Sequence, residues 1–237
     1  MIKVLNYTHN PLTVMATCAK ECWGSNPKDL VKVAKEIIES GHGRVSEFAD
    51  VTVVIDGYSA RTIRELYTHI IGTSRLQAST RYIKYGEFDY FTPPSIKNKM
   101  GTEEYTKIMD TIKEGYQKLQ ELDIPKEDVA NVLPLAMISR VVLKINVRAL
   151  IHLAEMRLCT RAYHEIRKLV IELLNILSEL DDEWKWIVSQ CKPKCDMVGF
   201  CTEKFCCGRQ PKKSDLEQLQ IKELSNKEDV IVKILNS

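Results

Sequence analysis

β-Forming residues in this chain are gathered into short stretches, at residues 2–7, 48–55 and 81–85, and the long intervals between them carry helical spacing. A few short strands among many helices imply an α+β fold. Residues 2–7 lead into helical patterns at 11–22 and 28–40, the second stopping before Gly41 as a C-terminal cap does. Val51, Val53, Val54 and Ile55 predict a strand ending at the Asp56-Gly57 turn, after which Ser59 caps a helix running to about His69. Gly72, Thr73 and Ser74 break that helix and open a polar loop, and the strand at 81–85 is ended by Pro93-Pro94. Tyr105, Ile108, Met109, Ile112, Tyr116 and Leu119 recur at three- and four-residue steps, which predicts an amphipathic helix over residues 102–122. Pro134 opens a further helical pattern in which Asn146, Leu150, Leu153 and Arg157 share a face, and a helix over 162–180 follows.

At 237 residues and 44% apolar content the chain can bury one substantial core, read here as a domain over residues 1–210 with a tail at 211–237. Its 34 basic and 32 acidic residues leave a net charge of +2, so charge makes no general case for nucleic acid or a membrane surface, and any anion site has to be local. No window reaches the roughly 18 apolar residues of a spanning helix, and the first residues carry no export pattern; a soluble cytoplasmic protein is expected. Walker, Rossmann-glycine and HExxH motifs are absent, so a dinucleotide would have to be held another way.

Two segments concentrate arginine, hydroxyl and amide side chains beside apolar helical patterns: RTIRELYTHIIGTSRLQASTRY at 61–82 and NVRALIHLAEMRLCTRAYHEIR at 146–167. They suggest one shared pocket for an anionic ligand. Arg157 is the foremost candidate, because a guanidinium on the stripe of Leu150 and Leu153 points toward packed protein and needs an anionic partner there. That partner is either a ligand phosphate or an acid such as Glu155 or Glu165. Ser74, Gln77, Ser79, Arg81 and Tyr82 form a second cluster able to converge on a phosphate or a flat heterocycle, or simply to satisfy a turn.

The stretch GHGRVSEFADVTVVIDGYSARTIRELYTHIIGTSRLQASTRY resembles the part of flavin-dependent thymidylate synthases that carries a GHxSxxEH-like block, then SRAxxxQLxRHR, then SxRY. The second segment is similar to their NxRSLxxFxxLRxxxxAQxEIR helix. The resemblance implies a mixed or antiparallel sheet flanked by long helices, assembled as a homotetramer with sites between subunits. It implies an enzyme, a methyltransferase that converts dUMP to dTMP with methylenetetrahydrofolate and NADPH as cosubstrates and FAD as the redox group. Carried over, Arg157 is the catalytic residue, and Gln77, Ser79, Arg81 and Arg157 bind the nucleotide. Ser46, His69, Ile71, Ser74, Gln77, Asn146 and Arg148 fall in or beside the flavin site. Departures are clear, since this chain has isoleucines beside His69 where the family has an Arg-His-Arg stretch. Readings that remain open are a methylase or hydroxymethylase of UMP or another pyrimidine nucleotide, and a non-catalytic descendant that binds zinc or nucleic acid.

Cys191, Cys195, Cys201, Cys206 and Cys207 fall within seventeen residues, enough sulfur for a structural zinc site, with Cys191, Cys195, Cys201 and Cys206 as its ligands. The spacing is not a double CxxC, and buried or redox-active thiols are the alternative.

Overall fold

Side-chain alternation in the strands fixes where the core lies. The sheet has four strands, β1 (Ile2–Tyr7), β2 (Asp50–Ser59), β3 (Thr73–Gln77) and β4 (Ile138–Asn146), in the order β1-β2-β4-β3. All three pairings are antiparallel. In β2, Val51, Val53 and Ile55 are buried, and in β4 Ser139, Val141, Leu143 and Ile145 are buried, while Arg140 and Lys144 between them face outward. Period-two burial of this kind gives one dry face and one polar face. The polar face carries the ion pairs Lys144–Asp50 at 3.1 Å and Arg140–Asp56.

This structure is a computed structural model and describes residues 1–24, 27–216 and 218. Its helices are α1 (Pro11–Trp23), α2 (Leu30–Glu39), α3 (Ala60–Leu66), α4 (Pro94–Asn98), α5 (Thr102–Glu121), α6 (Lys126–Val129), α7 (Val147–Arg157), α8 (His164–Leu177), α9 (Asp182–Gln190) and α10 (Lys194–Val198). The dry face of the sheet packs on Leu150 and Leu153 of α7 and on Ile166, Leu169, Val170, Leu173 and Leu177 of α8, whose three- and four-residue spacing makes one apolar stripe. Each such side chain contributes about 1.5–3 kcal/mol by leaving water. Trp184 of α9 is fully buried, and its indole N–H donates to the Thr8 carbonyl at 2.9 Å, which pins the C-terminal helices to the end of β1. A separate small cluster of Phe88, Met109 and Met137 holds α5 against the segment before β4.

Several elements differ from the sequence expectation. The strand at 48–55 does not stop at Asp56-Gly57; it continues to Ser59 through an irregularity between Ile55 and Tyr58, where Gly57 takes φ +86°. The polar loop expected at 72–74 is in fact the start of β3, an edge strand whose pairing with β4 offsets its weak strand composition. Residues 81–85 form turns and bends rather than a strand. Ile138–Asn146, expected to open a helix, is the central strand β4, and α7 begins only at Val147. The tail at 211–237 lies mostly outside the described residues. No described helix is long and apolar enough to cross a membrane.

Candidate active site

The chain turns from β4 into α7 at Asn146, whose side-chain oxygen accepts the Ala149 N–H at 2.9 Å and so caps the helix. The Asn146 backbone N–H donates to the Gly72 carbonyl at 2.9 Å. Gly72 has φ +74°, and a Cβ there would stand 2.6 Å from the Asn146 side-chain oxygen and 2.9 Å from Ala149 Cβ. Only glycine fits, so the start of β3 and the head of α7 meet at one point.

Beyond that knot the two arginine-bearing segments meet. Thr68, His69, Ile70 and Ile71 face Ala149, His152, Met156 and Arg157 across a cavity of about 480 Å³. A neighbouring cavity, also about 480 Å³, shares Ile71, Ala149 and His152 and extends along α7 past Asn146, Arg148 and the buried Ser46. The two form a continuous cleft along one side of α7.

Arg157 stands at one end of the cleft with its side chain 22% exposed. Its Nε donates to His69 Nε2 at 3.0 Å, one terminal nitrogen donates to the Thr68 hydroxyl at 3.1 Å, and the other lies 3.5 Å from a Glu65 carboxylate oxygen. The acid that pairs with Arg157 is therefore Glu65, not Glu155 or Glu165. Glu155 instead lies 3.3 Å from His152, and Glu165 is buried, accepting from the Ser59 N–H at 2.8 Å and the Thr62 hydroxyl at 2.7 Å. Because Arg157 donates to His69 Nε2, the imidazole has to be neutral with its proton on Nδ1. Burial, with Arg157, His152 and Arg75 as neighbouring positive charges, lowers its pKa to about 4. At the other end, Arg148 pairs with Glu47.

Of the residues singled out from sequence, Ser46, Ile71, Asn146 and Arg148 line one cavity, and His69, Ile71 and Arg157 line the other. Ser74, Gln77, Ser79 and Arg81 line neither. Gln77 donates to the Ser139 hydroxyl at 3.1 Å, and the Ser79 hydroxyl accepts the Arg81 N–H at 3.2 Å, so both stabilise the edge strand and the turn after it. Leu76 and Tyr82 beside them are 75% and 74% exposed. Glu65, Thr68 and His152 were missed. The four-residue spacing of Arg61, Glu65 and His69 was the signal that could have found Glu65.

The cysteine set expected to bind zinc is corrected by the structure. Cys191 is packed in the main core with its thiol 3.6 Å from the Ile187 carbonyl, and burial pushes its pKa up to about 12, whereas a metal ligand has to be a thiolate. Cys206 donates to the Gln210 carbonyl at 3.1 Å. Among the described residues, no group of three or more His, Cys, Asp or Glu side chains stands in an arrangement that could hold a metal ion.

A family model described as thymidylate synthase complementing protein matches residues 3–181. A flavin-dependent thymidylate synthase of Nitratidesulfovibrio vulgaris is 30% identical over 236 residues, covering 89% of this chain and 95% of its own. The chain belongs to the flavin-dependent thymidylate synthase family. It is therefore a member of a family of methyltransferases, and its two sequence blocks lie inside the matched span. A second flavin-dependent thymidylate synthase, from Clostridium tetani, is 29% identical, covering 88% of this chain and 93% of its own. The fold of the family extends to a solved Helicobacter pylori ThyX complexed with FAD and dUMP, with a TM-score of 0.63, 22% identity and coverage of 81% of this chain and 99% of that one. It extends also to PolB of Streptomyces cacaoi, a UMP/dUMP methylase bound with 5-Br dUMP, at a TM-score of 0.66 and 17% identity over 80% of this chain and 94% of that one. The α+β architecture with an antiparallel sheet is thus the family's.

Proposed function

We propose that this protein is a flavin-dependent thymidylate synthase that methylates dUMP reductively to dTMP, using methylenetetrahydrofolate as carbon donor and NADPH as reductant through FAD. The observation that carries the reading is the position of Arg157, at the meeting of the two family blocks and at the end of a cleft walled by both.

The residues of the cleft fit a flavin nucleotide. Arg148 and Arg157 put a guanidinium at each end, while Ile38, Ile71, Ala149 and Ile151 give apolar surface between them. When bound, the flavin would supply the hydride chemistry that no side chain here can supply. The work of the chain is orientation. Asn146, Arg148, His69, Ile71 and the buried Ser46 position the cofactor, and Arg157 holds the uracil and stabilises negative charge that develops on its ring. Neutral His69 and Glu65 hold the Arg157 fork in place before substrate arrives.

Ser79 and Arg81 are the phosphate-binding pair in this reading, with Gln77 and Ser74 beside them. They lie outside the Arg157 cleft, on an exposed edge, which supports a homotetramer whose sites unite the edge of one subunit with the cleft of another. Residues 1–210 are the catalytic unit and 211–237 an appended tail, in a cytoplasmic protein. A second reading, methylation of UMP, is favoured by the fold likeness to a UMP/dUMP methylase.

The test is to reconstitute purified protein with FAD, remove the excess and record the visible spectrum, then to follow turnover of dUMP and of UMP with methylenetetrahydrofolate and NADPH. Retained flavin and dTMP formation are expected. Turnover of UMP in preference to dUMP would transfer the assignment to the second reading, and a protein that retains no flavin would overturn both.

A further inference from the structure

The turn that carries Thr68 and His69 to Arg157, residues 67–72, joins the end of α3 at Leu66 to the start of β3 at Thr73. Its two large apolar side chains, Ile70 and Ile71, are 69% and 84% exposed, so their burial does not fix its path. Its carbonyls are held instead by two side chains of β3. One terminal nitrogen of Arg75 donates to the Tyr67 carbonyl and to the His69 carbonyl, both at 2.8 Å, and the guanidinium lies over the Tyr67 ring at 4.8 Å. The Thr73 hydroxyl stands 2.7 Å from the same His69 carbonyl oxygen and 3.1 Å from that of Ile70. Thr73 and Arg75 pair with Ile145 and Leu143, both buried, which puts them on the dry face of the sheet at its edge.

We propose that Arg75, aided by Thr73, is a positioning residue for Arg157: from β3 it locks the turn on either side of Thr68, so that the Thr68 hydroxyl and the His69 imidazole meet the Arg157 fork. The inference rests on the proposed reading of Arg157 as the group that holds the uracil. Tyr67 and His69, whose carbonyls Arg75 engages, bracket Thr68, and Thr68 and His69 are the two turn residues to which Arg157 donates. Capping α3 would need only the Tyr67 carbonyl. The second bond reaches past the helix end to the residue whose ring accepts from Arg157. The charge of Arg75 acts in the same sense, since together with burial, Arg157 and His152 it disfavours protonation of His69 and leaves Nε2 able to accept. Neither Arg75 nor Thr73 lines either cavity of the cleft, so their influence on a ligand passes through the turn.

The full chain with histidine ring nitrogens labelled is compared by NMR at neutral pH with Arg75→Gln, Arg75→Lys, Thr73→Val and Thr73→Ser, the His69 signals being assigned by their loss in His69→Gln. The unmutated chain should show His69 neutral and protonated on Nδ1. Arg75→Gln and Thr73→Val should move it toward the Nε2-protonated form, because a displaced turn no longer presents Nε2 to Arg157. The same variants should lower kcat for the methylated nucleotide with flavin retained and KM changed less. The loss should be about 10²-fold for Arg75→Gln, the scale on which a small misplacement slows a reaction, and smaller for Thr73→Val. Arg75→Lys should recover part of both signals, and Thr73→Ser, which keeps the hydroxyl, should behave as the unmutated chain. His69 shifts that do not move, or an unchanged kcat in an active enzyme, overturn the inference and leave Arg75 a cap of α3. Thr73→Val decides the matter where Arg75→Gln fails to fold. A chain that turns over neither dUMP nor UMP refutes the reading of Arg157 on its own, and the His69 shifts still decide whether Arg75 sets the turn.

Discussion

At the scale of single residues, Arg157 and His69 are the most informative pair. His69 can accept the Arg157 Nε proton only while its imidazole is neutral, and its lowered pKa of about 4 keeps it so through the physiological range. An unfolded histidine titrates near 6.5, so between about 6.5 and 4 the unfolded chain gains a proton that the folded chain refuses. The contribution of His69 is therefore fully present above pH 6.5 and declines as pH falls toward 4. Urea denaturation of the wild type and His69→Gln should show a stability difference that narrows from pH 7 to pH 5, and the His69 ring resonances should titrate near pH 4. A difference that stays constant over that window would refute the assignment. Arg157→Lys keeps the charge but loses the planar fork that engages Thr68, His69 and Glu65 together. Steady-state kinetics should show kcat/KM for dUMP lowered by roughly 10²–10³, the scale of losing a transition-state charge contact.

At the scale of elements, α1 and α5 were legible in the sequence because each carries one helical period over its length, and β1 because Ile2, Val4, Leu5 and Tyr7 are strand formers, even where its register shifts between Val4 and Asn6. β4 was not. Its alternation of Arg140, Val142 and Lys144 with Val141, Leu143 and Ile145 runs straight into the helical pattern of α7 without a glycine or proline to divide them, and Asn146 serves both as last strand residue and as helix cap. β3 was hidden for another reason, since Thr-Ser-Arg-Leu-Gln has little strand character and owes its form to hydrogen bonds from β4. In the site, Arg157 was legible by its place on an apolar stripe, but its acid lies on another helix, where the spacing of Arg61, Glu65 and His69 marks Glu65 without showing that it meets Arg157. The packing of α8 on α3 offers a direct test. Glu165 sits buried in the first turn of α8 and accepts from Ser59 and Thr62 at the head of α3. Glu165→Ala strands those donors, and chemical denaturation should register a loss of about 3 kcal/mol, with Glu165→Gln recovering part of it.

At the scale of the whole molecule, the placement of Ser79 and Arg81 outside the cleft is what a site shared between subunits requires. Equilibrium sedimentation should return a tetramer. Co-refolding the inactive variants Arg157→Ala and Ser79→Ala should restore activity, because mixed assemblies contain some sites with both residues intact. Failure to recover any activity from mixed tetramers would place both residues in the same subunit's site. The helix that joins these features also sets a length. Arg148 and Arg157 are nine residues apart on α7, which separates their backbones by about 13 Å along its axis. A mononucleotide gripped by one of them would end well short of the other, so on the proposed reading the two arginines answer to different molecules, Arg157 to the nucleotide and Arg148 to the cofactor, and α7 is the spacer that keeps them apart.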